Sequence, residues 1–276
     1  MATKVALRDI SPVTVVWLRF GMGFIILGLG VLSRRQFAIP SRQELAYFAL
    51  LGFLGITFHQ WLQSTGLTTA QATTTAWIVA TTPVFMALLG WLVLKEKLWL
   101  LQILGIAVAA LGVLGVVSKG DLQALSSGQA FSYGDLLILI SAPNWAIFST
   151  LSRRGLTQHP AARMMFYVMG FGFLFTTVQF LLGPGPAEIS HLTPTGWLGV
   201  CFLGIFCSGV AYIFWYDALQ AMPVAQAGAF VYIEPFVTVV VAAIVLSEPL
   251  LLSSLLGGGA IILGVWLVNR RGQATG

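Results

Sequence analysis

The sequence predicts an all-α polytopic membrane protein built from two inverted five-helix repeats, and three observations carry that prediction. Of its 276 residues 58% are apolar and 8% charged, whereas a soluble domain carries about a quarter charged residues. Nine apolar runs are long enough to cross a bilayer, which takes about 20 residues at about 1.5 Å of rise each. Residues from one half of the chain also align, without gaps, on residues from the other half.

The runs lie near Val13–Leu32, Leu45–Ser64, Ala70–Leu94, Leu98–Val117, Gly134–Leu151, Ala162–Leu182, Thr195–Leu219, Ala221–Leu246 and Leu251–Val268. The longest polar connection is Ser118–Ser132 and the tails are short, so any function has to sit within the membrane. No cleavable leader is expected at the N-terminus, because the first apolar run has full spanning length. Cys201 and Cys207 match neither a CxxC pair nor a zinc framework. They are expected to pack, and no metal site is expected.

The net charge of +5 does not point to nucleic acid, because the basic residues are scattered over loops rather than gathered in a patch. Orientation accounts for them better. With the Arg34, Arg35 and Arg42 loop cytoplasmic, alternation puts Lys95, Lys97, Arg153, Arg154, Arg163, Arg270 and Arg271 on the same side, as the positive-inside rule requires.

The repeat is visible in "TTPVFMALLGWLVLKEKLWLLQILGIAVAALGV", which aligns on "IEPFVTVVVAAIVLSEPLLLSSLLGGGAIILGV". Pro83 meets Pro235, Glu96 meets Glu248, Gly105 meets Gly257 and Gly112 meets Gly264. Upstream, Phe53–Ile56 recurs as Phe202–Ile205, and Pro12 pairs with Pro160. The expected division is therefore a first repeat over 1–117, a connection over 118–132 and a second repeat over 133–276. Five spans is an odd number, so the two copies enter the bilayer from opposite sides. Such inverted repeats are a frequent basis of secondary transporters, whose sites lie near the midplane between repeats. The counterpart of Gly134–Leu151 would fall almost wholly before Met1, with Ala2–Leu7 as its tail. The intact molecule is thus expected to have ten helices, the first largely missing here.

Polar groups are costly in lipid and are expected to face the bundle interior or a water-filled cavity. His59 and Gln63 share one helix face, with Gln60 and Ser64 on the neighbouring strip. They either line a substrate path or hydrogen-bond between helices, and the His59 imidazole can also take a proton near neutral pH. Gln71, Thr74, Thr75, Trp77, Thr81 and Thr82 follow at near-helical period. Trp77 and Thr81 are the cavity candidates among them, and Pro83 is expected to kink the helix by removing a backbone donor.

Ser141, Asn144, Trp145, Phe148, Ser149 and Ser152 form one amphipathic stripe. Asn144 and Trp145 could bind an amino or carboxyl group and an aromatic ring, or the stripe could simply pack. Tyr212 is a cavity candidate, whereas Trp215 and Tyr216 read as interfacial anchors. Trp17 has the same ambiguity. Glu234 stands before Pro235, a second expected kink, where it could bind a cation, carry a proton or only hydrogen-bond across helices. Glu96 and Glu248 read as caps of neighbouring structure, and Arg19 reads as a snorkelling anchor.

At these residues the chain resembles the drug/metabolite transporter superfamily, specifically its ten-helix EamA-type exporters. The resemblance rests on Pro83, Glu96, Gly105 and Gly112, on Glu234, Pro235, Glu248, Gly257 and Gly264, and on Arg19. It implies a bacterial inner-membrane protein with both termini of the intact molecule cytoplasmic, no cofactor, and a central cavity between the repeats. It also implies export of metabolites such as amino acids; "FHQWLQSTGL" and the aromatic lining are most similar to the aromatic and neutral amino-acid branch.

Three competing readings remain at this point. Efflux of lipophilic cations would use aromatic walls and Glu234 as counter-charge. An intramembrane enzyme would need a nucleophile with a placed base, and no GxSxG or HExxH pattern occurs. A receptor or scaffold would need soluble surface that the chain lacks. The expected partners are a small-molecule substrate, membrane lipid and, as a candidate coupling ion, the proton. Two repeats in one chain make a monomer sufficient.

Overall fold

The computed structural model describes residues 1–94, 98–121, 131–221 and 234–269. All regular structure among them is helical: α1 (Ala2–Ala6), α2 (Pro12–Ser33), α3 (Arg42–Gly52), α4 (His59–Thr69), α5 (Ala72–Val79), α6 (Thr82–Leu94), α7 (Leu100–Val117), α8 (Tyr133–Leu156), α9 (Ala161–Leu182), α10 (Gly185–Glu188), α11 (Pro194–Cys201), α12 (Ala211–Ala221), α13 (Glu234–Val245) and α14 (Leu252–Asn269). Among the described residues eight helical segments are long and apolar enough to cross a membrane. The remaining apolar run, Ala221–Leu246, contributes α13; its earlier part, like Glu96, lies outside the described residues.

Large apolar side chains such as Ile25, Leu29, Leu111, Leu182 and Ile244 stand exposed on these helices. A soluble protein does not present so much apolar surface, whereas a lipid-facing one does. The protein is an all-α, multi-pass membrane protein.

Packing divides the chain into two units, Ala2–Thr68 with Phe148–Gly228, and Thr69–Ile147 with Ala229–Gly276 and Met1. Each draws on chain from both sides of the 118–132 connection, so packing units and sequence repeats are different divisions of the molecule.

In the first unit α3 and α4 are joined by a π-helical stretch, Phe53–Phe58, and α11 and α12 by another, Phe202–Val210. Both begin at the recurring Phe-Leu-Gly-Ile sequence. A π-turn inserts a residue into the helical repeat and rotates the side chains that follow it. The helices come close where glycine permits: a side chain at Gly52 would strike the Val168 carbonyl, and one at Gly23 the Ser208 carbonyl.

Carboxylates from neighbouring segments satisfy helix-start donors that would otherwise lack acceptors. Glu188 Oε2 accepts the Ser11 N–H at 2.9 Å and the Thr14 hydroxyl at 2.6 Å at the start of α2. Asp9 Oδ2 accepts the Thr193 N–H and hydroxyl ahead of α11. At the other end of α2, Arg34 meets Asp217 through two parallel 2.7 Å hydrogen bonds.

In the second unit α7 and α14 pack through small residues. Gly105 lies against Gly264, and Gly112 against Gly257. Positions that align in sequence, Gly105 with Gly257 and Gly112 with Gly264, therefore exchange partners, which is the pattern a two-fold axis gives.

The expected break near Pro83 is present, two residues early: α5 ends at Val79 and α6 begins at Thr82. Proline cannot donate to the carbonyl four residues back, which is Val79. That oxygen instead accepts the Thr82 hydroxyl at 2.7 Å. Pro235 lies in α13, whose described part begins at Glu234.

Glu248 behaves as the cap expected of it. Ser247 takes a left-handed backbone, φ 54°, which turns the chain so that the Glu248 carboxylate accepts the Ala72 and Thr73 N–H groups at 2.8 and 3.0 Å.

Candidate functional site

The residues named from the sequence fall in both units. In the unit of α2, α4, α9 and α12, His59 is 4% exposed, Gln60 and Ser64 are buried, and Gln63 is half-buried. They occupy the two helical turns that follow the Phe53–Phe58 π stretch, which sets where this polar face points. Tyr212, half-buried on α12, meets the Phe20 ring edge-on at 6.2 Å and Tyr216 at 6.1 Å.

Two sequence expectations need correction in this unit. Tyr216 is 4% exposed and packs on Tyr212, so it is a buried residue rather than an interfacial anchor. Arg19 does not snorkel. It is 9% exposed; its Nε donates to Ser208 Oγ at 2.9 Å and its Nη1 to Gln60 Oε1 at 3.2 Å. Its guanidinium lies 4.8 Å from the centre of the Phe20 ring. Interior acceptors on two other spans outcompete the route to the interface. Trp17 likewise packs inward, stacking on Phe180 at 4.0 Å and donating to Thr177 Oγ1 at 3.0 Å.

In the other unit Trp77 is the largest buried side chain, 2% exposed. Its ring lies against Gly258, where a side chain would collide with it, and meets Phe236 edge-on at 5.6 Å. The Trp77 indole N–H has no hydrogen-bond partner among the described residues. Burying such a donor unsatisfied is costly, and a ligand acceptor would remove the cost.

Thr81 is buried, and its hydroxyl donates to the Ile78 carbonyl at 2.6 Å, which leaves its lone pairs as acceptors. Asn144 is buried and Trp145 half-buried on α8, whose Pro143 lies inside the helix. Glu234 is exposed at the first residue of α13. The same unit carries an open pocket of about 420 Å³ lined by Gln71, Thr74, Ser118, Lys119, Asp121 and Asp135, among others. None of the named candidates lines it.

Sequence reasoning assigned Arg19 the wrong role and gave Ser208 none. The available signal was an arginine about two turns inside an apolar span.

The sequence profile of the EamA-like transporter family matches residues 1–118 and 132–270. The chain is 28% identical over 268 residues to an uncharacterized transporter of Archaeoglobus fulgidus, covering 97% of this chain and 91% of that one. It is 28% identical over 236 residues to a probable terminal-alkyne amino-acid exporter of Streptantibioticus cattleyicolor, covering 84% and 75%. A solved crystal structure at 17% identity superposes with a TM-score of 0.65 over 98% of this chain and 94% of the other, a likeness of fold. Family and relatives alike are transporters rather than enzymes. With two profile matches spanning nearly the whole chain, on a bundle of membrane-crossing helices, the protein belongs to the EamA-like transporter family and is a membrane transporter of small molecules.

Proposed function

We propose that the protein is a secondary transporter that exports small neutral metabolites, amino acids foremost and aromatic ones among them, by alternating access through a cavity between its repeats. The observation that carries the reading is the chemistry of the polar side chains inside the spans. His59, Gln63, Asn144 and Thr81 offer neutral donors and acceptors, and Trp77 adds an indole N–H that nothing among the described residues accepts. A zwitterion needs both donors and acceptors, and its apolar side chain needs aromatic neighbours. The name of the Streptantibioticus relative, an amino-acid exporter, agrees with that chemistry.

The carrier is proposed to act as a monomer in the bacterial inner membrane. The second reading, efflux of lipophilic cations, would use Glu234 as counter-charge. The test is transport by His59→Ala and Asn144→Ala in proteoliposomes at matched insertion. Both variants are expected to lose amino-acid flux while remaining folded; full flux in both would remove these residues from the path.

A further inference from the structure

We infer that Arg19 is a carboxylate-binding subsite, held ready by Gln60 and Ser208, which takes the α-carboxylate of the transported molecule. This rests on the reading of the protein as an amino-acid carrier and names the group that one end of such a substrate would meet.

Arginine keeps its charge in any protein environment, and a cation buried in a membrane-spanning bundle is strongly disfavoured unless it is paired. Arg19 is 91% buried, yet its two hydrogen-bond partners, Ser208 Oγ and Gln60 Oε1, are neutral. The ionisable side chains within electrostatic reach are Tyr212 and Cys207, neither of which is a carboxylate. Among the described residues Arg19 has no ion-pair partner.

Of the guanidinium's five N–H groups, Nε and Nη1 each commit one, and both hydrogens on Nη2 remain. The guanidinium carbon lies over the Phe20 ring, 4.8 Å from its centre. The result is a positioned cation with free donors and, among the described residues, no resident counter-charge. A carboxylate is the small group whose geometry matches a guanidinium edge in two parallel bonds. The neighbourhood also suits the rest of an amino acid: Tyr212 meets the Phe20 ring edge-on at 6.2 Å, and His59 precedes Gln60 on α4.

The test uses the full chain, with neutral amino acids including phenylalanine as probes, each beside its amide, which lacks the carboxylate, and its deaminated acid, which keeps it. Affinities are read by thermal stabilisation of the purified protein and by competition in counterflow. Wild type is expected to bind the amino acid and the deaminated acid and to reject the amide. Arg19→Gln is expected to lose about 10- to 100-fold in affinity for both carboxylates, while Arg19→Lys, which keeps charge but not the fork, falls between.

Because Arg19→Gln could fail to fold, Gln60→Glu supplies a second handle. It gives the guanidinium a resident carboxylate and should fold at least as well while losing carboxylate binding. Amino-acid transport whose affinity and preference over the amide are unchanged in Arg19→Gln and Gln60→Glu would overturn the subsite and leave the carrier reading intact. Arg19-dependent binding of deaminated acids without any amino-acid flux would uphold the subsite and sink the amino-acid reading. Absence of carboxylate binding in the folded wild type would overturn the subsite.

Discussion

Gly105 and Gly264 meet backbone to backbone: a methyl group on Gly105 would stand 2.6 Å from the Gly264 carbonyl oxygen, and one on Gly264 would stand 2.5 Å from that of Gly105. The obstacle is main chain, which cannot rotate aside, so even alanine forces α7 and α14 apart. Gly105→Ala and Gly264→Ala are each expected to destabilise by about 1–3 kcal/mol, the usual cost of overpacking. Gly259, on the same helix with nothing within 4 Å of the position a side chain would take, is the control; Gly259→Ala should be neutral or slightly stabilising. Thermal denaturation in detergent, followed by size-exclusion profile, separates the two classes.

Glu248 and Thr73 share one carboxylate oxygen, Oε2, which accepts the Thr73 N–H at 3.0 Å and its hydroxyl at 2.9 Å. Removing the cap strands donors at the start of α5. Glu248→Ala should cost about 1–2 kcal/mol, and Glu248→Gln less, since one amide oxygen can still accept. A melting temperature unchanged in Glu248→Ala would show that these donors find other acceptors.

Trp77 gives a prediction in which stability and transport part company. Trp77→Ala empties a large buried volume and should cost about 3–5 kcal/mol. Trp77→Phe removes a buried N–H that has no partner among the described residues, so its stability cost should be small. If that N–H serves the substrate, Trp77→Phe will fold and insert normally while its flux falls several-fold. Normal flux would assign Trp77 to packing.

Most of the helical architecture was legible because the spans are set by apolar length alone. The run read as Leu98–Val117 is helical over Leu100–Val117, and Ala162–Leu182 over Ala161–Leu182. The four glycines were legible as recurring positions of the repeat, and Glu248 as a cap. Other features depended on tertiary partners that periodicity does not show. Arg19 could snorkel or bond inward, and the choice rests on Gln60 and Ser208, 41 and 189 residues away. Tyr216 has the depth and residue type of an anchor but turns toward Tyr212. The π stretches recur at the same tetrapeptide, yet nothing in Phe-Leu-Gly-Ile by itself distinguishes a π-turn from an α-turn.

Glu188 makes part of the fold pH-dependent. Burial pushes its carboxyl up, but the hydrogen bonds from Thr14 and Ser11 outweigh this and hold it below the usual glutamate range. A carboxyl depressed in the folded state stabilises above its unfolded value, about 4.3, and that contribution is lost as pH falls through the folded value. Wild type should therefore lose melting temperature more steeply below about pH 4 than Glu188→Gln, which starts lower at neutral pH. Parallel curves would contradict the role given to this carboxylate.

Counterflow of radiolabelled neutral and aromatic amino acids into proteoliposomes tests the central claim most directly. Saturable uptake, driven by unlabelled amino acid inside and reduced in His59→Ala and Asn144→Ala, is the predicted result. Failure of every amino acid to exchange, with a lipophilic cation moving through the same vesicles, would contradict the account and make this transporter a drug-efflux carrier.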